Sequence, residues 1–131
     1  ELAKAKGAKR ALMLPMSVPS HCSLLKGAAE KLRVYLNNVA MQSPAVPVVH
    51  NADVKSYSDA ASIKDALVRQ LYSPVRWVET VQYFGAQGIT HNVECAPGKV
   101  LVGLNKRIDT NQQALTLNDS AALQATLAVI G

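Results

Sequence analysis

The alternation of short apolar runs with longer amphipathic segments is the feature that most constrains the fold of this chain. Apolar residues recur at helical spacing in the longer segments, which predicts helices at residues 2–7, 21–37, 60–72, 73–88, a stretch ending near residue 108, and 119–130. The short runs predict strands at residues 11–16, 48–49, 89–95 and 114–117. The polar residues 51–59 predict a loop, and Asn118 or Asp119 is expected to cap the last helix. Strands that alternate with helices form a mainly parallel sheet covered by helices, which is the α/β class. Three or four strands are few for such a sheet, so we expect part of it to lie outside this chain.

Composition narrows the class of protein. The chain has 131 residues, 49% of them hydrophobic and 18% charged, which suits one folded domain and argues against disorder. No apolar run approaches the length that spans a bilayer, so no membrane partner is expected. Cys22 and Cys95 are far apart in sequence and form no metal-binding pair. The first residues lack the pattern of a signal peptide, which favours two reduced thiols in the cytoplasm.

The net charge of +5 is partly local, because Lys4, Lys6, Lys9 and Arg10 fall within the first ten residues. Such a cluster is either a solvated face or a docking surface for an acidic partner, which would be a phosphate-bearing molecule, an acidic protein or nucleic acid. Aromatic residues make up only 5% of the chain and no nucleic-acid-binding motif is present. No nucleic acid partner is therefore predicted.

His21 lies in the segment SVPSHC, where a predicted strand passes into a predicted helix. Ligands and catalytic groups of α/β proteins gather at strand ends, and a histidine in a first helical turn is favoured in its neutral form. A neutral imidazole accepts a proton, so His21 is a candidate general base paired with a nucleophile. The alternative is a solvent-exposed histidine with no chemical role.

Gln70 and Pro74 offer a means of orienting that histidine. A catalytic imidazole needs an acceptor for its second nitrogen. The carbonyl of Gln70 would normally accept from the N–H of the residue four positions later, but that residue is Pro74 and has no N–H. The unused carbonyl is therefore a candidate partner for His21. The alternative is that water or a later N–H satisfies it.

The remaining candidates are weaker. His50 is expected to be a loop residue and His91 a satisfied residue of a strand, and the histidines lack zinc-motif spacing. Residues 96–99 precede a predicted helix but lack the phosphate-loop pattern. Cys22 is expected to serve packing rather than reactivity. No GxSxG motif occurs, so the nucleophile for His21 has no recognisable place in this chain.

Three blocks of sequence, taken together, resemble one known family. The blocks VPSHCSLLK, VKSYSDAASIKDALVRQLYSPVRW and APGKVLVGLNKRI are similar to the C-terminal part of bacterial malonyl-CoA:acyl carrier protein transacylases. The resemblance implies a large α/β-hydrolase-like domain with an inserted ferredoxin-like subdomain. Residues 1–15 would be the end of the insert, and residues 16–131 the C-terminal half of the large acyltransferase domain.

The resemblance also implies roles for individual residues. The family's catalytic histidine matches His21, and the main-chain carbonyl that orients it matches Gln70. The family's serine nucleophile, its malonyl-binding arginine and its oxyanion-hole glutamine would all lie upstream of this segment. Ala96 stands where glycine is usual in the family, and His50 where asparagine is common. Those two departures affect local loops only.

The implied reaction transfers malonyl from CoA to acyl carrier protein through a malonyl-serine intermediate in fatty acid biosynthesis. The implied partners are malonyl-CoA, acyl carrier protein and the missing N-terminal part of the same protein. No cofactor or metal is implied beyond the phosphopantetheine of the carrier. The chain alone is expected to be inactive, because it lacks the serine. The alternatives are a non-catalytic docking module for acyl carrier protein and an acyltransferase domain of a polyketide or fatty acid synthase.

Overall fold

The computed structural model describes residues 1–13, 15–95 and 97–131. The α-helices are α1 (Leu2–Ala5), α2 (Lys26–Asn37), α3 (Ala60–Tyr72), α4 (Trp77–Ala86), α5 (Val100–Ile108) and α6 (Ser120–Ile130). The strands are β1 (Val49–His50), β2 (Lys55–Ser56), β3 (His91–Glu94) and β4 (Gln113–Thr116). A 3-10 turn, Ser23–Leu25, leads into α2. The alternation of helices and strands confirms the predicted α/β class.

The strands form two separate pairs in the described part of the chain. β3 and β4 are parallel, with Asn92 opposite Ala114, as predicted for a crossover through α5. β1 instead forms an antiparallel hairpin with β2, inside a segment that was expected to be an irregular loop. The carbonyl of His50 accepts the N–H of Val54 at 2.8 Å, and this tight turn brings residues 55–56 back alongside β1. The prediction of a mainly parallel sheet is therefore correct only for β3 and β4.

Two predictions about the first 37 residues are wrong. The structure has no strand at residues 11–13 and 15–16, and Leu14 lies outside the described residues. Met13 is 96% exposed, and a strand without a neighbour leaves its backbone groups unpaired. The helix predicted from residue 21 begins only at Lys26. His21 has a positive φ of 57°, which no right-handed helix contains, so the helix-terminus argument for its neutral form does not hold.

The predicted start of α4 is also wrong. Ser73 is extended, with φ −111° and ψ 147°, as expected for the residue before a proline. Residues 74–76 are not helical, and α4 starts only at Trp77. Within α4, Val78 is 52% exposed, whereas Val81 is fully buried.

A small hydrophobic core and a buried hydrogen bond hold the elements together. Ala29 and Leu36 of α2 pack with Val68 of α3 in the core. Elsewhere, the side chain of Gln112 donates to the carbonyl of Val81 at 2.8 Å, which ties α4 to the start of β4. Many large apolar side chains remain exposed nonetheless, among them Leu12, Leu24, Val34, Tyr35, Val46 and Val100. Among the described residues, none of the helices has both the length and the apolar character that crossing a bilayer requires.

Candidate active site: a histidine held by a main-chain carbonyl

The structure brings His21 and Gln70 together although 49 positions separate them in the sequence. The Nδ1 atom of His21 lies 3.0 Å from the main-chain carbonyl oxygen of Gln70, within hydrogen-bond distance. The 3-10 turn that follows His21 contacts α3. The positive φ of His21 is uncommon for a residue with a side chain, and such backbone outliers concentrate at functional sites.

The carbonyl of Gln70 is free for this contact because of the way α3 ends. The helix stops at Tyr72, and the residue that would continue the hydrogen-bond ladder to Gln70 is Pro74, which has no N–H. A carbonyl in the last helical turn needs a partner from elsewhere. His21 supplies the N–H that the proline lacks.

This contact fixes which nitrogen of the imidazole carries the proton. A carbonyl oxygen only accepts hydrogen bonds, so Nδ1 of His21 must donate. In the neutral ring the other nitrogen, Nε2, then has a free lone pair. The arrangement can remove a proton from a nucleophile placed beside Nε2, which is the function of a general base.

The surroundings of His21 are open. The residue is exposed and lies at a cavity of about 160 Å³ that is also lined by Ser20, Leu25, Gln70 and Leu71. The thiol of the adjacent Cys22 donates to the carbonyl of Pro19 at 3.4 Å, so its polar contact is within its own turn. His21 is therefore accessible from solvent in this chain.

The structure separates the other histidines from this site. His50 is 5% exposed, so it is not the loop residue that was expected, and its ring lies 5.6 Å from that of Tyr57. Its Nε2 has no hydrogen-bond partner among the described residues. His91 is an exposed residue of β3 and its Nδ1 lies 2.8 Å from the hydroxyl of Thr90. Within residues 1–13, 15–95 and 97–131, no cluster of His, Cys, Asp and Glu is arranged to hold a metal ion.

The structure also contains an ionic network, centred on Arg69 next to Gln70, that was not predicted from the sequence. The Arg69 guanidinium bonds both carboxylate oxygens of Asp53, and its Nε donates to Asp65 at 2.6 Å. Hydrogen bonds from Arg69 hold the pKa of the Asp53 carboxyl and of the Asp65 carboxyl below their usual values. The same bonds, to Asp53 first, raise the pKa of Arg69. Only the spacing of Asp65 and Arg69 in one helix was a sequence signal for this network.

Comparisons with known proteins bear on the identity of the chain. No protein-family model matches it. The malonyl CoA-acyl carrier protein transacylase of Salmonella typhimurium is 58% identical over 124 residues, which are 95% of this chain and 40% of that protein. Among solved structures, the acyl-carrier-protein S-malonyltransferase of Burkholderia pseudomallei superposes with a TM-score of 0.89 at 56% identity, over 97% of this chain and 41% of that one.

A third comparison concerns a complex. A malonyl-transacylase solved together with its type II polyketide acyl carrier protein superposes with a TM-score of 0.90 at 52% identity, over 96% of this chain and 41% of that one. The chain belongs to the malonyl CoA-acyl carrier protein transacylase family. It spans about 40% of the length of the curated relatives it matches, in their C-terminal part. The resemblance carried by the three sequence blocks is confirmed.

Proposed function

We propose that this chain is the histidine-bearing part of a malonyl-CoA:acyl carrier protein transacylase. The observation that carries the proposal is the 3.0 Å contact between His21 Nδ1 and the Gln70 carbonyl, in a segment 58% identical to a transacylase of that name. The contact leaves Nε2 free to take a proton, which is what acyl transfer through a serine requires.

In the proposed reaction the nucleophile is a serine outside this segment. Nε2 of His21 takes the serine proton as the serine oxygen bonds to the malonyl thioester carbon. The tetrahedral intermediate collapses, the carbon–sulfur bond breaks, and protonated His21 returns the proton to the departing CoA thiolate. His21 then takes the proton of the phosphopantetheine thiol, whose sulfur attacks the malonyl-serine, and gives it to the departing serine. No further cofactor takes part in this scheme.

The domain assignment belongs to the same proposal. Residues 16–131 would form the C-terminal half of the large α/β-hydrolase-like domain, and residues 1–15 the end of a ferredoxin-like insert. The parallel β3–β4 pair supports the first part, because parallel strands typify such domains. The exposure of each of the first ten residues supports the second, because it sets them apart from the hydrophobic core of α2 and α3.

The remaining part of the protein is the first partner we propose. An apolar groove of about 450 Å³ runs between the hairpin and α4, lined mainly by Val46, Pro47, Val49, Tyr83, Phe84 and Ile89. Apolar grooves of this kind are usually covered by other protein surface. Since the chain is about 40% of the length of its relatives, the other 60% would supply that cover and the serine.

Acyl carrier protein and malonyl-CoA are the other proposed partners. Both carry negative charge, and this chain has a net charge of +5 with Lys4, Lys6, Lys9 and Arg10 exposed. The related transacylase solved in complex with its acyl carrier protein supports a carrier protein as a partner. Free thiols at Cys22 and Cys95 are compatible with a cytoplasmic location. The exposed lysines also favour the second candidate function, a docking module that binds carrier protein without catalysis.

The test uses the complete protein that contains this segment. His21→Ala should lower malonyl transfer at least about 1,000-fold, the usual scale for loss of a general base in a serine mechanism. The matched control is Gln70→Ala, which keeps the main-chain carbonyl and should change the rate less than about threefold. Transfer that survives His21→Ala would refute the catalytic role.

The isolated 131-residue chain separates the two candidate functions. It should give no malonyl-CoA turnover above background, and robust turnover would contradict the proposal. If the complete protein also fails to transfer malonyl while the chain binds carrier protein in a salt-sensitive manner, the docking module is the correct function.

A further inference from the structure

We propose that Asp53 and Arg69 are positioning residues, which lock the last turn of α3 so that the Gln70 carbonyl stays aimed at His21. This inference rests on the proposed function only in taking His21 as the base. The hairpin loop, residues 51–54 between β1 and β2, is the part of the fold that performs the locking.

The first attachment lies one residue before the carbonyl. The planar guanidinium of Arg69 meets both oxygens of Asp53, with Nη2 donating to Oδ2 at 2.7 Å and Nη1 bonding Oδ1. Asp53 is in turn fixed by the hydroxyl of Tyr57 at 2.9 Å. The Asp53 side chain is only 13% exposed and that of Arg69 32%. A two-point contact of this kind defines orientation as well as distance.

The second attachment lies two residues beyond Pro74. The backbone N–H of Arg76 donates to the carbonyl of Asn51 at 2.9 Å, so the hairpin loop also holds the chain that leaves α3. The hairpin loop therefore bonds residues 69 and 76. These two residues lie on either side of Gln70 and Pro74, between which the proline prevents a helical hydrogen bond. Helix ends normally fray, and this pair of contacts restrains the end that carries the acceptor.

The backbone of the hairpin loop indicates that its shape is imposed by these contacts. Val54 has a φ of 56°, a region that β-branched residues strongly disfavour. The two non-glycine residues with positive φ in the described chain are Val54 and His21. Val54 lies in the loop that holds α3, and His21 carries the ring that contacts the Gln70 carbonyl. Backbone outliers of this kind persist where surrounding structure over-determines them.

The test reads the tautomer of His21 in the complete protein that contains this segment, prepared with isotope-labelled histidine, by the nitrogen–proton correlations of the ring in NMR spectra near pH 8.5, about two units above the usual histidine pKa. Nδ1–H should dominate, because the hydrogen bond at one ring nitrogen decides the tautomer. In Arg69→Met, the ratio of Nδ1–H to Nε2–H should fall about fivefold, the factor that corresponds to one neutral hydrogen bond. Asp53→Asn should lower it in the same direction.

The matched control is Arg33→Met. Arg33 belongs to the same network through Asp65, at 3.2 Å, and pairs with Glu30, but it has no hydrogen bond to Asp53 among the described contacts. This variant should change the ratio less than twofold. A double variant of Asp53→Asn and Arg69→Met should shift the ratio no further than Arg69→Met alone, because residues that act as one unit are not additive.

Three outcomes overturn the inference. They are an unchanged ratio in Arg69→Met, equal shifts in Arg69→Met and Arg33→Met, and fully additive shifts in the double variant. Where Arg69→Met does not hold a native fold, Asp53→Asn, which keeps the volume of the side chain, is judged by the same ratio. The tautomer needs no catalysis, so failure here is distinct from a failure of the His21→Ala transfer assay.

Discussion

Replacing Pro74 with alanine should turn the Gln70 carbonyl away from His21. Alanine restores the N–H four residues after Gln70 and removes the restriction that keeps Ser73 extended. α3 can then continue past Tyr72 and close a ladder bond from residue 74 to the carbonyl of Gln70. The perturbation therefore supplies a competing donor for the acceptor that the histidine uses, and alters no side chain that contacts the ring.

The magnitude follows from the 3.0 Å contact. It joins two neutral groups, and a hydrogen bond of that type is worth about 1 kcal/mol net. Loss of that bond to the competing N–H would lower the ratio of Nδ1–H to Nε2–H in His21 by up to about fivefold. The free energy of unfolding should change by less than about 1 kcal/mol, because the added ladder bond offsets the greater freedom of the unfolded chain without the proline.

Two assays check this prediction. NMR of the complete protein gives the tautomer ratio, and malonyl transfer by the same protein gives the rate, which should fall by up to about fivefold. Pro44→Ala is the control, since Pro44 lies outside every helix and does not line the apolar groove, and it should leave both quantities unchanged. If the N–H of residue 74 is protected from exchange in the variant while tautomer and rate stay as before, the reasoning about the freed carbonyl is wrong.

Two further predictions concern stability and association. Arg69 lowers the pKa of Asp53 and that of Asp65 in the folded chain. The two ionised carboxylates therefore stabilise the fold fully above the ordinary aspartate pKa of about 3.9. This stabilisation is lost as the pH falls through the lowered pKa values. In urea unfolding, the unmodified chain should have a higher free energy of unfolding than Arg69→Met, and this difference should shrink as the pH falls below about 4. A difference that does not change with pH would contradict this. The isolated chain should also associate, because its apolar groove and strand edges lack cover; a monodisperse monomer in light scattering at tens of micromolar would count against that expectation.

Prediction from the sequence was most accurate where a single residue type determines the local backbone hydrogen bonds. The missing N–H of Pro74 singled out the Gln70 carbonyl, and the structure has His21 Nδ1 at 3.0 Å from it, although their catalytic role stays a prediction. Asp119 was one of two predicted caps for α6, and its carboxylate accepts the N–H of Ala122 at 2.8 Å. Both inferences depend on backbone chemistry within four residues.

The rest depended on contacts that no local pattern encodes. Residues 11–13 have strand-like composition, but strand formation needs a neighbouring strand, and the described chain offers none there. Arg69 pairs with Asp53, which lies 16 positions away in the sequence. Asp53 belongs to the loop of a hairpin that was not predicted. Val54 at positive φ runs against the preference of its own side chain, so sequence reasoning predicted an irregular loop where a tight turn forms.

Two constraints, one local and one between distant residues, therefore orient His21. Pro74 lacks an N–H and so leaves the Gln70 carbonyl available as an acceptor. The hairpin loop, through Asp53 and Arg69, holds that carbonyl in place. Either one alone is insufficient, because an available carbonyl on a frayed helix end would sample many directions, and a rigid helix end with a complete ladder would offer no acceptor. The ring meets this fixed oxygen from a backbone with φ 57°, so the aim of Nε2 is set by main-chain geometry on both sides of the hydrogen bond. A histidine oriented in this way needs no carboxylate partner, so the proposed role of His21 as a general base is compatible with a second nitrogen held by a neutral group.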